Sequence, residues 1–136
     1  MALQSKQIFV NLPVKNLKNS IAFFSSIGFA FNEQFTDENA TSMIISDHIY
    51  AMLLTEERFK DFIDKPIADA KSAAQAILCL SADSREQVDE IVEKALAAGG
   101  RSYSEPQDHG FMYGRSFEDL DGHLWEIMWM DPATVE

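Results

Sequence analysis

The sequence predicts an α+β fold built from two copies of a βαβββ unit. Three observations predict it. Strand-like alternation occurs in two blocks, over residues 7–55 and 76–130. In each block the first strand leads into a helix with a capping side chain before it, Asn16 or Ser84, and glycine after it, Gly28 or Gly99-Gly100. Each block then ends on a turn and an apolar strand, the turns lying at Asp47-His48 and Asp121-Gly122. The offset of roughly 65–70 residues marks a duplication. Each half is too small to bury both faces of a sheet alone. The halves are therefore expected to pack as one domain, residues 1–136, around a shared cavity.

The elements follow in order. In QIFVNLPV (7–14), Ile8, Val10, Leu12 and Val14 share one face, and Phe9, Asn11 and Pro13 the other. A helix over 17–27 carries the stripe Leu17, Ile21, Phe24 and Ile27. Strands are expected at 29–36, 41–46 and 49–55. Residues 56–75 read as a linker, with a short helix in EERFKDFI stopped by Lys65-Pro66. A strand at 76–82 precedes Ser84-Arg85-Glu86-Gln87, a capping-box signature. The helix after it buries Val88, Ile91, Val92, Ala95 and Leu96. Strands are expected at 101–106, 111–118 and 123–130.

Composition narrows the function classes. Hydrophobic residues make up 46% of the 136, enough for a real core. The net charge is −11 without a basic cluster. Such a surface repels phosphate backbones and anionic lipid, so neither nucleic acid nor a membrane is an expected partner, and a small molecule is. MALQSKQIFVNLPV has no long apolar run, so no signal peptide is expected and a cytoplasmic location is the simplest reading. Cys79 is the single cysteine, which excludes an internal disulfide and a Cys-rich zinc site.

The most informative stretch is FEDLDGHLWEIMWM (117–130). Alternation sends Leu124, Glu126, Met128 and Met130 to one side and Trp125, Ile127 and Trp129 to the other. The tryptophan side should pack on the helices, leaving Glu126 to face a cavity. By the same rule Phe9, Asn11, Ala51, Ile77 and Cys79 are expected on cavity-facing sides.

The doubled βαβββ pattern, with NLPVKNLKNSIAFFSSIGF near the start and GFMYGRSFEDLDGHLWEI near the end, resembles the vicinal oxygen chelate superfamily. That group includes glyoxalase I, the bleomycin- and fosfomycin-resistance proteins and the extradiol dioxygenases. The second half resembles the glyoxalase-related branch. The resemblance implies two half-open barrels around a cavity, a homodimer, and a divalent metal held by the first and last strand of each module. Its ligand positions fall on Phe9, Ala51, Ile77 (or Ala76 with a one-residue shift) and Glu126. Only Glu126 is a metal donor, too few for the three or four protein ligands zinc takes. No metal residue is therefore assigned, and glyoxalase I chemistry, which needs a metal at the enediolate oxygens, is not expected.

The candidate catalytic residue is Glu126, a general base beside a carbonyl if it faces the cavity and a solvated strand glutamate if it does not. Asn11 is a candidate ligand-binding amide or a structural one at the barrel seam. His109, Tyr113 and Arg115, in QDHGFMYGR, are candidate ligand-binding residues. Arg115 could equally form a rim salt bridge, with Glu118 or Asp119 as its partner, and Tyr113 could be core. Cys79 reads as an inert strand thiol. A metal-dependent dioxygenase, which would need two histidines and a carboxylate on one iron, ranks third behind two other function classes. One is a glyoxalase-related small-molecule protein, a divergent lyase or isomerase using Glu126. The other is a non-catalytic sequestration protein of the bleomycin-resistance type.

Overall fold

The computed structural model describes residues 1–134. The chain divides into two compact units, which part between Ala68 and Asp69. Each unit is βαβββ, and the fold is α+β.

The first unit contains β1 (Ile8–Val14), α1 (Leu17–Ile27), β2 (Ala30–Asn32), β3 (Ala40–Ile44), β4 (Ile49–Thr55) and a short α2 (Glu56–Lys60). Its sheet runs β1-β4-β3-β2, with β1 parallel to β4 and the other pairs antiparallel. The helix starts as the sequence predicts, with the Asn16 side chain accepting from the Asn19 N–H at 3.0 Å. It stops at Gly28, whose φ of 125° suits glycine. Leu17, Phe23, Phe24 and Ile27 are buried. On the sheet, Val14, Met43, Ala51 and Leu53 are at most 1% exposed.

The second unit contains β5 (Ile77–Ser81), α3 (Arg85–Ala97), β6 (Gln107–Asp108), β7 (Met112–Glu118) and β8 (Leu124–Met130). Its sheet repeats the first, β5-β8-β7-β6, with β5 parallel to β8. Ser84 caps α3 by accepting from the Gln87 N–H. The Gln87 side chain reaches back to the N–H of Asp83, one residue before the cap, rather than to Ser84 itself. Val88, Val92 and Ala95 are fully buried.

Two expected strands change. The strand placed at 29–36 ends at Asn32, because its side chain accepts from the Gln34 N–H and turns residues 33–35 into a 3₁₀ turn. The strand placed at 101–106 is not formed. Only Arg101 bridges to Glu118, Pro106 has no N–H to give a ladder, and the pairing with β7 is made by Gln107 and Asp108. In the segment read as a linker, α2 forms as expected. Near that segment's end, Ala70-Lys71 packs on the turn before β8, where a Cβ at Gly122 would lie 2.8 Å from the Lys71 nitrogen. No helix of the described residues is long and apolar enough to cross a membrane.

Candidate functional site

Neighbours in register on adjacent strands project to the same face of a sheet. In the second unit this rule separates two environments. One face carries the rows Leu78–Trp125–Phe117 and Leu80–Ile127–Arg115. This is the helix-covered face, where Trp125, Ile127 and Phe117 are each 1% exposed and the Phe117 and Trp125 rings stack at 6.3 Å. The opposite face carries the row Cys79–Glu126–Ser116. Glu126 therefore sits on the open face, as alternation predicts. It borders a cavity of about 190 Å³ with Ser104, Ser116 and Met128.

The groups in register with Glu126 are weak donors, and Glu105 and Arg115 also border the cavity, the Arg115 guanidinium being held by Asp89 and Glu93. Cys79 is the cross-strand neighbour of Glu126. Burial pushes the Cys79 thiol up, and the Glu126 carboxylate beside it adds to the shift. Tyr103 is raised by burial and then by Glu126, and its hydroxyl donates to the Trp125 carbonyl at 3.4 Å. The Ser104 and Ser116 hydroxyls share a hydrogen bond of 2.9 Å. Among the described residues Glu126 forms no ion pair. Its carboxylate thus has acceptor capacity facing a cavity, with a thiol beside it and hydroxyls nearby.

The turn before β8 sets this placement. Asp119 is 7% exposed. Its carboxylate accepts from the N–H groups of Asp121 and His123 and from the Trp125 indole, at 2.9, 3.0 and 3.0 Å. Burial raises the Asp119 carboxyl, and His123 and these donors pull the other way. By fixing the Trp125 ring on the covered face, Asp119 fixes Glu126 on the other. Sequence reasoning assigned Asp119 only a possible rim pairing with Arg115.

Two residues expected at the ligand site turn their side-chain ends toward α3, and of the two Arg115 still borders the Glu126 cavity. Arg115 donates to Asp89 at 3.1 Å and to Glu93 at 2.7 Å, both on α3. The Tyr113 hydroxyl donates to Asp89 at 2.6 Å. The physical reason is register: Arg115 pairs with Ile127 and Tyr113 with Trp129, both on the helix face. His109 is exposed in the β6–β7 turn, its ring 6.4 Å from Phe111. Beside that turn, Arg85 lies over Tyr113 and Trp129 and grips Asp108 with both terminal nitrogens at 2.9 Å. Asp108 is held down at about 2 by Arg85 and the Gly110 N–H. These contacts make a structural clamp of the segment in which ligand residues were expected.

Asn11 belongs to the open face of the first unit. The row there is Asn11–Met52–Ser42–Asn32, across all four strands. Next to it Phe9 and Tyr50 stack at 5.1 Å. Ala51 pairs with Val10 on the covered face and is fully buried, which corrects its expected cavity-facing side. The corresponding cavity-facing residue of β4 is Met52. It stands in register with Asn11 as Glu126 does with Cys79.

The model of the glyoxalase/bleomycin resistance protein/dioxygenase superfamily matches residues 6–127. The chain belongs to that superfamily. Among solved structures it is similar to a hypothetical protein from S. aureus, with 25% identity, 93% of this chain and 94% of the other covered, and a TM-score of 0.78. It is also similar to a glyoxalase-related enzyme from Fulvimarina pelagi, at 18% identity, 93% and 88% coverage and a TM-score of 0.78. A genomically encoded fosfomycin resistance protein from Listeria monocytogenes shares 20% identity, with 93% and 94% coverage and a TM-score of 0.66. No curated protein matches the sequence.

The superfamily's divalent metal can be tested against these rows. The open-face residues on the outer strand and its neighbour are Asn11 and Met52 in the first unit and Cys79 and Glu126 in the second, each unit taken by itself. A neutral amide and a thioether are poor donors for a divalent ion, and the thiol is shifted away from the thiolate that binds metal. Among the described residues no group of three or more His, Cys, Asp or Glu could hold an ion. The residues present do not fit the metal.

Proposed function

We propose that this superfamily member is a glyoxalase-related small-molecule-binding protein in which Glu126 meets the ligand directly rather than through a metal. The observation that carries this reading is the row Cys79–Glu126–Ser116, which sets a carboxylate with no ion-pair partner among the described residues on an open sheet face beside a cavity. In its catalytic form the protein is a divergent lyase or isomerase. Glu126 then takes a proton from carbon next to a carbonyl, with Ser104, Ser116 or Tyr103 as candidate donors to the oxygen. Sequestration of the bleomycin-resistance type is the second reading. The aromatic and amide-lined cavity of the first unit favours it, being suited to holding a ligand and lacking an acid or base for turnover. A soluble cytoplasmic homodimer suits either reading.

The test is native mass spectrometry of the protein and its Glu126→Gln variant, purified alike. A retained small molecule should leave the variant, whose circular dichroism should be unchanged. Equal occupancy in both proteins would remove Glu126 from the ligand site.

A further inference from the structure

The open face of the first unit has a cavity of about 440 Å³, within the range of small-molecule pockets. Its floor is the row Asn11–Met52–Ser42–Asn32, and its wall includes the stacked rings of Phe9 and Tyr50. Ser42 is only 5% exposed, and its hydroxyl has no hydrogen-bond partner among the described residues. A hydroxyl in so covered a residue costs stability unless something meets it. Its oxygen is not sealed from the cavity.

The two flanking amides have fixed orientations. The Asn11 NH₂ donates to the Phe9 carbonyl at 3.3 Å, which leaves its carbonyl oxygen for a ligand. The Asn32 oxygen accepts from the Gln34 N–H at 3.0 Å, which leaves its NH₂. The row thus offers an acceptor at Asn11, a donor at Asn32 and a hydroxyl of either kind at Ser42 between them. Among the described residues no carboxylate, ammonium, guanidinium or imidazole lines the cavity. A charge placed there would lose water without gaining a counter-ion. Phe9 remains 53% exposed despite its stack with Tyr50, so ring surface is available to a flat molecule. Met52 can adapt its shape to the ligand.

We propose that this cavity binds an uncharged, planar, largely apolar molecule carrying a neighbouring hydrogen-bond donor and acceptor, of the amide, lactam or phenol class. The proposal rests on the small-molecule reading above and names the chemistry selected in the first unit. It runs against the net charge of −11, which alone would favour a cation. Desolvation inside a small cavity outweighs a field screened beyond about 10 Å.

The test uses three probes on one ring system: 2-naphthamide, 2-naphthoate and 2-naphthylmethylammonium. Each is titrated into the ¹⁵N-labelled full chain. The amide should shift the side-chain NH₂ signals of Asn11 and Asn32 saturably and bind ~10-fold or more tighter than either ion. Ser42→Ala should weaken it by about 10-fold. Asn11→Asp should reverse the order in favour of the ammonium probe. Arg85→Ala, in the second unit, should leave amide binding unchanged. Ion binding as tight as that of the amide would overturn the proposal. So would indifference to Ser42→Ala, or no saturable shift with any probe. Loss of amide binding in Glu126→Gln would move the site to the second unit and leave the Glu126 reading standing. Equal retention of the cellular ligand by Glu126→Gln would sink that reading and leave this one standing.

Discussion

Replacing Asp119 by alanine should destabilise the protein by about 3 kcal/mol. Three donors lose their acceptor, and they are not equivalent. The Trp125 indole is 1% exposed, and a buried donor stripped of its acceptor costs about 1–3 kcal/mol. The Asp121 and His123 N–H groups lie in a half-buried turn and recover part of their loss from water, leaving about 0.5–1 kcal/mol each. Asp119→Asn should cost about 1–2 kcal/mol, because an amide must turn its own N–H toward one of those donors. The assay is urea denaturation followed by fluorescence. Both tryptophans, Trp125 and Trp129, lie on β8, so the signal reports the strand in question. A double-mutant cycle with Trp125→Phe isolates the indole bond, followed by circular dichroism. A loss below about 1 kcal/mol for Asp119→Ala, or a coupling below about 0.5 kcal/mol in the cycle, would refute the reasoning.

Other outcomes follow from the same coordinates. Cys79 should alkylate slowly for an exposed thiol, since burial and the Glu126 charge both oppose its thiolate. Glu126→Gln should shift the iodoacetamide rate profile to lower pH, and an unmoved profile would contradict the pairing. The Asp108 carboxyl should titrate by NMR at about 2 and move up toward the ordinary aspartate range in Arg85→Ala. Because its folded pKa is depressed, its contribution to stability is present above the unfolded value of about 3.9 and disappears as pH falls through about 2. Arg115→Met should cost about 1 kcal/mol, a figure discounted because Asp89 and Glu93 face solvent, and should not change ligand retention. Retention lost as fully as in Glu126→Gln would place Arg115 at the ligand.

The sequence located α1 to the residue, and β4 likewise, because local signals bound both: a cap and a stop glycine in one, flanking turns in the other. The open-face position of Glu126 was legible for a related reason. Trp125, Ile127 and Trp129 leave one way to orient β8. Ala51 was misplaced because the two halves match at their turns only approximately, residues 45–48 before β4 standing against 119–123 before β8. The turn at Asp47 and the one built by Asp119 differ in length, so the strand phase slips by one. The directions of Tyr113 and Arg115 stayed open in the sequence because β7 has bulky residues on both faces. What decides between the faces is Asp89 and Glu93, an i,i+4 pair on α3, more than twenty residues away. The cavity row Asn11–Met52–Ser42–Asn32 was out of reach because it depends on registers between strands, and no local pattern encodes them.

Elemental analysis of the protein purified without chelator tests the central claim most directly, namely that Glu126 acts on a ligand and not as a metal donor. The account predicts no stoichiometric transition metal. It also predicts no hemithioacetal isomerase activity comparable to a working glyoxalase after addition of zinc, nickel or manganese, because neither unit's row offers a donor set: the first presents Asn11 and Met52, the second a thiol shifted away from the thiolate beside Glu126. One equivalent of metal per chain, lost in Glu126→Gln, would contradict it.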